Sequence, residues 1–297
     1  MHAVMGPSLT ARRMRVRRAW CRGLMATTMV AVGVWHGQAH AAPATGMAAH
    51  RAVYDLVLSA VGEGDVVTAE GRLTFVLSDM CTAWSTQQQL HVRTVGRGGD
   101  EHNSDSDYAV LEDKDGSSLV FSADQTENGQ SSPRIAGEAH MGPGGGKVHY
   151  TAPIVHDVAL PVGTLFPVAH TTSVIAAGQA GRTEIAPPLF DGTVETGALS
   201  TYVLLLAREA PPVDTPFAAL APLGAQRVHM AYYNPTTRDM GPIFEQGMRY
   251  FSNGVADRLD LDFGQFRLAG TLREFRLLPV PDHCPAAAPF SPQHRPL

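Results

Sequence analysis

Residues 244–263 read FEQGMRYFSNGVADRLDLDF and carry the clearest sign of a fold class in this chain. Two runs flank Asn253-Gly254, and in both of them most alternate positions are apolar, with Gln246 and Asp257 as the exceptions. Asn-Gly strongly favours a tight turn between antiparallel strands, and a period of two is typical of a strand with one buried face. The stretch therefore predicts a β-hairpin formed by Phe244–Phe251 and Val255–Phe263.

The same alternation extends outward from this hairpin over most of the chain. Further hairpins are predicted at Asp115-Gly116 and at Gly142–Gly146, and the polar, Gly-rich segment Gly96–Asp105 is predicted to be a loop. The other predicted strands are Ala52–Ser59, Arg72–Leu77, Cys81–Val95, Tyr108–Leu111, Ser118–Ser122, Ile135–Met141, Lys147–Thr151, Thr183–Pro187, Thr193–Ala207, Arg227–Tyr233 and Phe266–Leu278.

One segment breaks the strand pattern and predicts a helix. Leu165–Gln179 lacks alternation, has an apolar face that includes Phe166 and Val174, and ends near Gly178 and Gly181, which can stop a helix. About a dozen strands with one central helix predict an all-β, mainly antiparallel fold, in which a single large sheet curls into a barrel or spiral.

The first forty or so residues differ from the rest of the chain. Residues 12–22 contain six arginines and no acidic residue, an apolar run follows from Gly23 to Trp35, and Ala39-His40-Ala41 places small residues where a signal peptidase cuts. This three-part pattern predicts a signal peptide at residues 1–41. An uncleaved anchor is the alternative, but the apolar run is short for a membrane span, so the mature protein is not expected to span a membrane.

Charge narrows the choice of partners. Cleavage after Ala41 would remove six of the 23 basic residues and no acid, leaving 17 basic against 28 acidic side chains. An acidic chain without a basic cluster argues against binding to nucleic acid or to an anionic membrane surface. We expect residues 42–284 to form one domain and the Pro/Ala-rich residues 285–297 to form a disordered tail.

The prediction for the cysteines depends on the same predicted export. Loss of Cys21 with the signal peptide leaves Cys81 and Cys284, and an even pair in an oxidising compartment predicts a disulfide. A reactive dithiol or a metal site remains the alternative. The first would usually have a C-x-x-C spacing, and the second would need more ligands than two distant thiols.

No catalytic, cofactor-binding or metal-binding motif is found. The histidines lack zinc-site spacing, no G-x-S-x-G elbow is present, and the Gly142–Lys147 segment fails the phosphate-loop pattern. Three acids at Glu112, Asp113 and Asp115 do not follow the calcium-loop pattern. Two further groups are interpreted as exposed positions on strands: His140, His149 and His156, and Asp257, Asp260 and Asp262.

Several motifs resemble, in order and spacing, those of the EipB-like family of cell-envelope integrity proteins from the periplasm of alphaproteobacteria. The resemblance covers roughly residues 49–284. Its residues are His50–Leu56, Cys81–Trp84, Leu160–His170, Phe190-Asp191-Gly192, Met248–Gly254, Asp262–Leu272, Leu278-Pro279 and Cys284.

This resemblance implies an open, spiral-like β-barrel closed by a disulfide between Cys81 and Cys284. It also implies a periplasmic location, a role in envelope maintenance, a tetratricopeptide-repeat protein as partner, and no established enzymatic activity or cofactor. The chain departs from the family pattern in the Pro/Ala-rich segment Pro211–Gly224 and around Arg227–Tyr233, which puts contacts with a partner in doubt more than the fold.

Three functions follow as hypotheses. The first is a non-enzymatic periplasmic protein that maintains envelope integrity by binding a protein partner. The second is a carrier of a lipid or another apolar ligand, because a curled sheet can enclose a cavity. The third is a hydrolase of envelope polymers, which would require polar groups that converge in a cleft.

Overall fold

The computed structural model describes residues 46–62, 64–236 and 241–284, so the predicted signal peptide and C-terminal tail lie outside the described residues. This part of the chain holds fifteen β-strands and one α-helix. The elements are β1 His50–Val61, β2 Val66–Asp79, β3 Ala83–Gly96, β4 Glu101–Asp113, β5 Ser118–Glu127, β6 Gln130–Ser131, β7 Ile135–Gly142, β8 Gly145–Ala152, β9 His156–Leu160, α1 Pro167–Gln179, β10 Glu184–Ile185, β11 Ser200–Glu209, β12 Ala225–Tyr233, β13 Phe244–Phe251, β14 Ala256–Asp262 and β15 Phe266–Leu277.

All the named strands belong to one sheet. Its order is β10-β11-β12-β13-β14-β15-β1-β2-β3-β4-β5-β7-β8-β9, and β6 pairs with β5. Each pairing between neighbours is antiparallel, as hairpin connections require. The outermost strands β9 and β10 do not pair with each other in the described part, so the sheet is open. The predicted fold class is confirmed.

The hairpin at residues 244–263 forms as predicted. Strand β13 covers Phe244–Phe251, and the turn is closed by a hydrogen bond from the Phe251 N–H to the Val255 carbonyl. Gly254 lies in the turn with φ +84°, a conformation that costs a side-chain-bearing residue energy.

Buried side chains form two hydrophobic clusters against the inner face of the sheet. The larger joins β1–β3 to β11–β15 and includes Leu56, Val203 and Phe251. The smaller lies under β4–β9, where Phe121, Tyr150 and Phe190 contact one another edge to face. The period-two pattern of the strands supplies one side chain to the core and one to solvent in turn.

Helix α1 packs against the inner face near β10 and β11. It begins at Pro167, two residues later than predicted, because proline fits the first helical turn, whereas Phe166 is still extended. It ends before Gly181, whose φ of +73° and the hydrogen bond from Arg182 N–H to the Ala177 carbonyl form a Schellman-type cap. No helix of the described residues is long and apolar enough to cross a membrane.

Two sequence predictions about strands and loops are wrong in detail. The predicted loop Gly96–Asp105 is a loop only to Asp100, because β4 starts at Glu101 and its polar side chains pair with β3, as His91 does with Asp105 at 2.7 Å. The predicted strand Thr193–Ala207 begins at Ser200. Gly197 before it has φ +89° and donates its N–H to the Tyr150 hydroxyl.

Cys81 and Cys284 form a disulfide, with 5.2 Å between their Cα atoms. Cys81 lies in the turn between β2 and β3, and Cys284 lies beyond the end of β15. Because β15, β1 and β2 are adjacent in the sheet, the bond joins neighbouring elements near its centre and leaves the two outer strands free.

The Pro/Ala-rich segment at residues 211–224 is part of the domain. Val213 and Leu220 are buried in the larger cluster, and the Phe217 ring contacts that of Phe275. It covers one end of β13 and takes part in a buried ion-pair network described below.

Candidate functional site

The inner faces of two parts of the sheet enclose a cleft of about 510 Å³. One wall comes from β2–β5 and the other from β12, β13 and the first turns of α1. A volume in this range is typical of pockets for small ligands, so this cleft is the candidate functional site.

The first wall consists of cross-strand rows set by the register. Phe75, Gln88, Tyr108 and Ala123 lie opposite one another on β2, β3, β4 and β5. The residues two positions away on β3 and β4 add Thr86 and Ser106 to the same face. This wall therefore carries an aromatic, amide and hydroxyl surface, and its one charged lining residue, Asp124, is paired with Arg134.

The second wall is more apolar. Met230 lies opposite Gln246 across β12 and β13, and Met248 and Tyr250 continue the inward face of β13. The Tyr232 hydroxyl is hydrogen-bonded to the Gln246 side chain. A narrow, mainly apolar extension of about 90 Å³ is lined by residues of both walls, Phe75 and Gln88 of the first and Met248 and Tyr250 of the second, and also by Tyr54, Leu73 and Leu259.

Three polar side chains of the first wall lack partners in the described structure. The Thr86 hydroxyl is buried, with the residue only 4% exposed, and is the one side-chain polar atom buried there without a hydrogen bond. The Gln88 and Ser106 side chains are half-buried and also make no hydrogen bond to a described residue. Buried polar groups are nearly always paired, so the unpaired Thr86 hydroxyl indicates a place for a ligand or an ordered water.

The electrostatics of the cleft exclude a strong positive field. Among its described lining residues there is no Lys or Arg. Burial lowers the pKa of His170 to about 4, so its ring is neutral, and its Nε2 is 3.3 Å from the Thr201 Oγ1. Burial raises the pKa of Asp191, whose Oδ1 accepts hydrogen bonds from the Thr193 N–H and hydroxyl.

Glu112 connects the first wall to the helix. It is 2% exposed, and its carboxylate accepts hydrogen bonds from the N–H groups of Val168 and Ala169 at 2.7 and 2.8 Å. These two donors have no partner within the helix, since they belong to its first turn. Sequence reasoning placed Glu112 among hairpin acids, because nothing local shows that it caps a helix more than fifty residues away.

Glu112 should make the stability of the protein depend on pH. Burial raises its pKa from 4.5 to about 7, so between these values the folded state binds more protons than the unfolded state. Stability should then fall as pH rises from about 4 to 8, by roughly 3 kcal/mol from this group. Urea unfolding of wild type and Glu112→Gln across that range tests it. The variant should show a flatter profile, and parallel profiles would contradict the assignment.

The sequence-selected histidines do not converge. His140 is exposed, the His149 Nδ1 is 2.7 Å from Asp157 Oδ1, and the His156 ring stacks on Tyr150 at 4.6 Å. Within the described residues no group of three or more His, Cys, Asp or Glu side chains could hold a metal ion. The segment Gly142–Lys147 forms the β7–β8 hairpin, as the sequence predicted.

The interpretation of Asp257 as an exposed position is wrong. Arg249 pairs with Arg258 and Tyr250 with Ala256, so Asp257 is the extra residue of a β-bulge. A bulge redirects a side chain, and here the carboxylate meets the buried Arg249 guanidinium, with Nε 2.8 Å from Oδ1. Arg249 also donates to Glu209 and to the Asp214 carbonyl, which attaches the segment at residues 211–224 to the sheet.

Comparison with known proteins places these features in context. The family model described as EipB-like matches residues 41–279. The chain is 23% identical over 242 residues to "Cell envelope integrity protein EipB" of Brucella abortus, which covers 80% of this chain and 86% of that protein. The crystal structure of a beta-barrel-like protein of a domain of unknown function from Brucella abortus superposes with a TM-score of 0.73. It is 22% identical, covers 79% of this chain and 99% of that one, and shows a shared fold.

Proposed function

Because the chain belongs to the EipB-like family, we propose that it is a periplasmic protein that maintains the integrity of the cell envelope by binding rather than by catalysis. The observation that carries this proposal is the family match over residues 41–279, which spans nearly all of the predicted mature chain. The envelope role is proposed because the Brucella abortus relative is named a cell envelope integrity protein.

The chemistry of the cleft supports a binding role. A general base should have a pKa near the working pH, but that of His170 is lowered to about 4. Its neighbour Thr201 donates its hydroxyl hydrogen to the Pro187 carbonyl, so that oxygen is not aimed at the cleft as a nucleophile. Neither the family description nor the name of the relative is that of an enzyme.

The periplasmic location rests on the predicted signal peptide at residues 1–41 and on the disulfide between Cys81 and Cys284. Disulfides persist in oxidising compartments such as the periplasm and are rare in the cytosol. These two features are independent, because one lies in the leader and the other in the folded domain.

A strain that lacks the gene tests the envelope role. It should become more sensitive to detergent and to β-lactams, and a plasmid with the full chain should restore resistance. A plasmid that lacks residues 1–41 should make the protein without restoring resistance, because the protein would stay in the cytoplasm. A deletion strain as resistant as its parent would contradict the proposal.

The proposed partner is a periplasmic protein with tetratricopeptide repeats. Chemical crosslinking in periplasmic extract, followed by pull-down of a tagged chain, should recover it. A Cys81→Ser variant serves as comparison, since it keeps the sequence of the surface but loses the disulfide that holds the β2–β3 turn. If neither the wild-type chain nor the Cys81→Ser variant recovers a tetratricopeptide-repeat protein, the proposed partner is contradicted.

A carrier of apolar ligands is the second candidate, favoured by the mainly apolar extension of about 90 Å³ that residues of both walls line. Native mass spectrometry of the purified mature protein distinguishes it, because a carrier should retain lipid. A purely apolar occupant of the main cleft would leave the Thr86 hydroxyl and the Gln88 amide unpaired, at an energetic cost.

A further inference from the structure

The geometry points to an uncharged oligosaccharide as the ligand of the interior cleft, held by Thr86, Gln88 and Ser106 on one wall and by aromatic side chains on both. This inference rests on the proposed binding role, and it adds the class of ligand. It does not depend on the identity of a protein partner.

The first step is that the cleft is built to bind something polar. The Thr86 hydroxyl is buried without a partner, an arrangement that destabilises the empty protein. Thr86 lines the cleft near the centre of the sheet, opposite Leu77 on β2 and Val110 on β4. A ligand that forms a hydrogen bond with this hydroxyl would remove that energetic cost.

The second step is that the ligand carries no negative charge. Phosphate and carboxylate ligands are recognised by Arg, Lys or helix N-termini, and the described lining has no Arg or Lys. The N-terminus of α1 is already occupied by the Glu112 carboxylate. Asp124 and Asp191 add negative charge to the lining, and Asp124 is paired with Arg134.

The third step separates a sugar from a peptide. An extended peptide is usually bound by backbone hydrogen bonds to the open edge of a sheet. Here the walls are sheet faces, where the backbone groups of β3 and β13 are already paired on both sides. Recognition must therefore use side chains, and hydroxyls and amides next to aromatic rings suit a ring with many hydroxyl groups.

The aromatic residues are distributed to fit such rings. Tyr108 lies beside Gln88 on the first wall, and Tyr232 and Tyr250 lie on the second. The Tyr108 hydroxyl donates to the Asp191 carbonyl at 2.7 Å, and that of Tyr232 is bonded to Gln246. Because these hydroxyls are engaged within the protein, the tyrosines are fixed in place and offer apolar surface to a ligand.

Titration of the mature protein with neutral trisaccharides tests the inference. Chitotriose and maltotriose are the probes, and calorimetry and amide chemical shifts are the readouts. Acetyl-trialanine-amide represents a neutral peptide, trigalacturonate an acidic sugar and decanol an apolar ligand. At least one neutral trisaccharide should bind and shift the amide signals of β3 and β4, and the other three probes should bind more weakly.

Three variants assign the site. Thr86→Val keeps the shape of the side chain and should weaken binding about three- to tenfold, the effect of one hydrogen bond. It should also raise the midpoint of thermal unfolding of the empty protein, because it removes an unpaired buried hydroxyl, a result that a purely structural role would not give. Gln88→Leu should weaken binding similarly, whereas Gln87→Leu on the outer face of the same strand should leave affinity unchanged.

The outcomes separate this inference from the proposed function. Absence of binding by both neutral trisaccharides up to about 10 mM would overturn it, as would tighter binding of the peptide or of decanol. An unchanged affinity of Thr86→Val would overturn it as well. None of these outcomes would bear on the proposed envelope role, which the sensitivity of the deletion strain tests separately.

Discussion

Replacement of both Cys81 and Cys284 by serine should lower the free energy of unfolding by about 2–5 kcal/mol, the range for loss of a native disulfide. The two cysteines are 203 positions apart, so the bond closes a loop that contains β3 to β15 and the helix. Loop-closure entropy for that length gives about 5 kcal/mol as a ceiling. The native sheet should change little, because β15, β1 and β2 remain paired without the bond.

Urea unfolding of the mature protein under oxidising conditions measures this loss. The serine variant should also have a larger dependence of free energy on urea, because an unfolded chain without a cross-link exposes more surface. Wild type treated with a reductant should match the double variant, which controls for the substitutions themselves. A midpoint shared by oxidised wild type and the double variant would show that the loop closure contributes nothing.

Replacement of Arg249 by methionine should cost about 3–5 kcal/mol, the usual effect of removing one member of a buried ion pair. The Arg249 and Asp257 side chains are 4% and 6% exposed, and Glu209 completes the network. Without the guanidinium, the Asp257 carboxylate is left buried and uncompensated, and the Asp214 carbonyl loses its donor. The segment at residues 211–224 should then become more accessible to proteolysis.

Two further variants check that the cause is the unpaired charge. Arg249→Met combined with Asp257→Asn should recover part of the lost stability, since the buried Asp257 charge is gone and Glu209 still pairs with Arg227. Arg267→Met serves as the matched control: Arg267 also pairs with two aspartates on a neighbouring strand, but its side chain is 41% exposed. Its loss should cost less than about 1 kcal/mol, as for other surface pairs. Equal losses for Arg249→Met and Arg267→Met would contradict this explanation.

The hairpin, the helix and the fold class could be predicted because their signals are local. Asn253-Gly254 between alternating runs indicates a turn without reference to the rest of the chain, and Gly181 ends the helix by its own backbone conformation. The start of β4 at Glu101 was missed because its side chains are polar. Their pairing with β3 depends on the register between two strands, which composition does not show.

The cleft was less accessible to sequence reasoning for the same reason. Alternation places Thr86 and Gln88 on one face of β3. It does not show which distant strand that face meets. Met230 and Tyr250 come from strands more than a hundred residues later, and only the curl of the sheet brings them opposite. The role of Glu112 depends on a distant helix end, and that of Asp257 depends on a bulge. The residues next to them in sequence indicate neither feature.

The position of β1 in the sheet has a consequence for biosynthesis. Among the described residues β1 is the first strand to be synthesised, and it lies between β2, which follows at once, and β15, which is the last. Throughout emergence β1 therefore keeps one open hydrogen-bonding edge, of the kind that recruits other chains into aggregates. The sheet can be completed only after β15 has been synthesised. A chaperone that shields the open edge of β1 would therefore be most useful until β15 pairs with it.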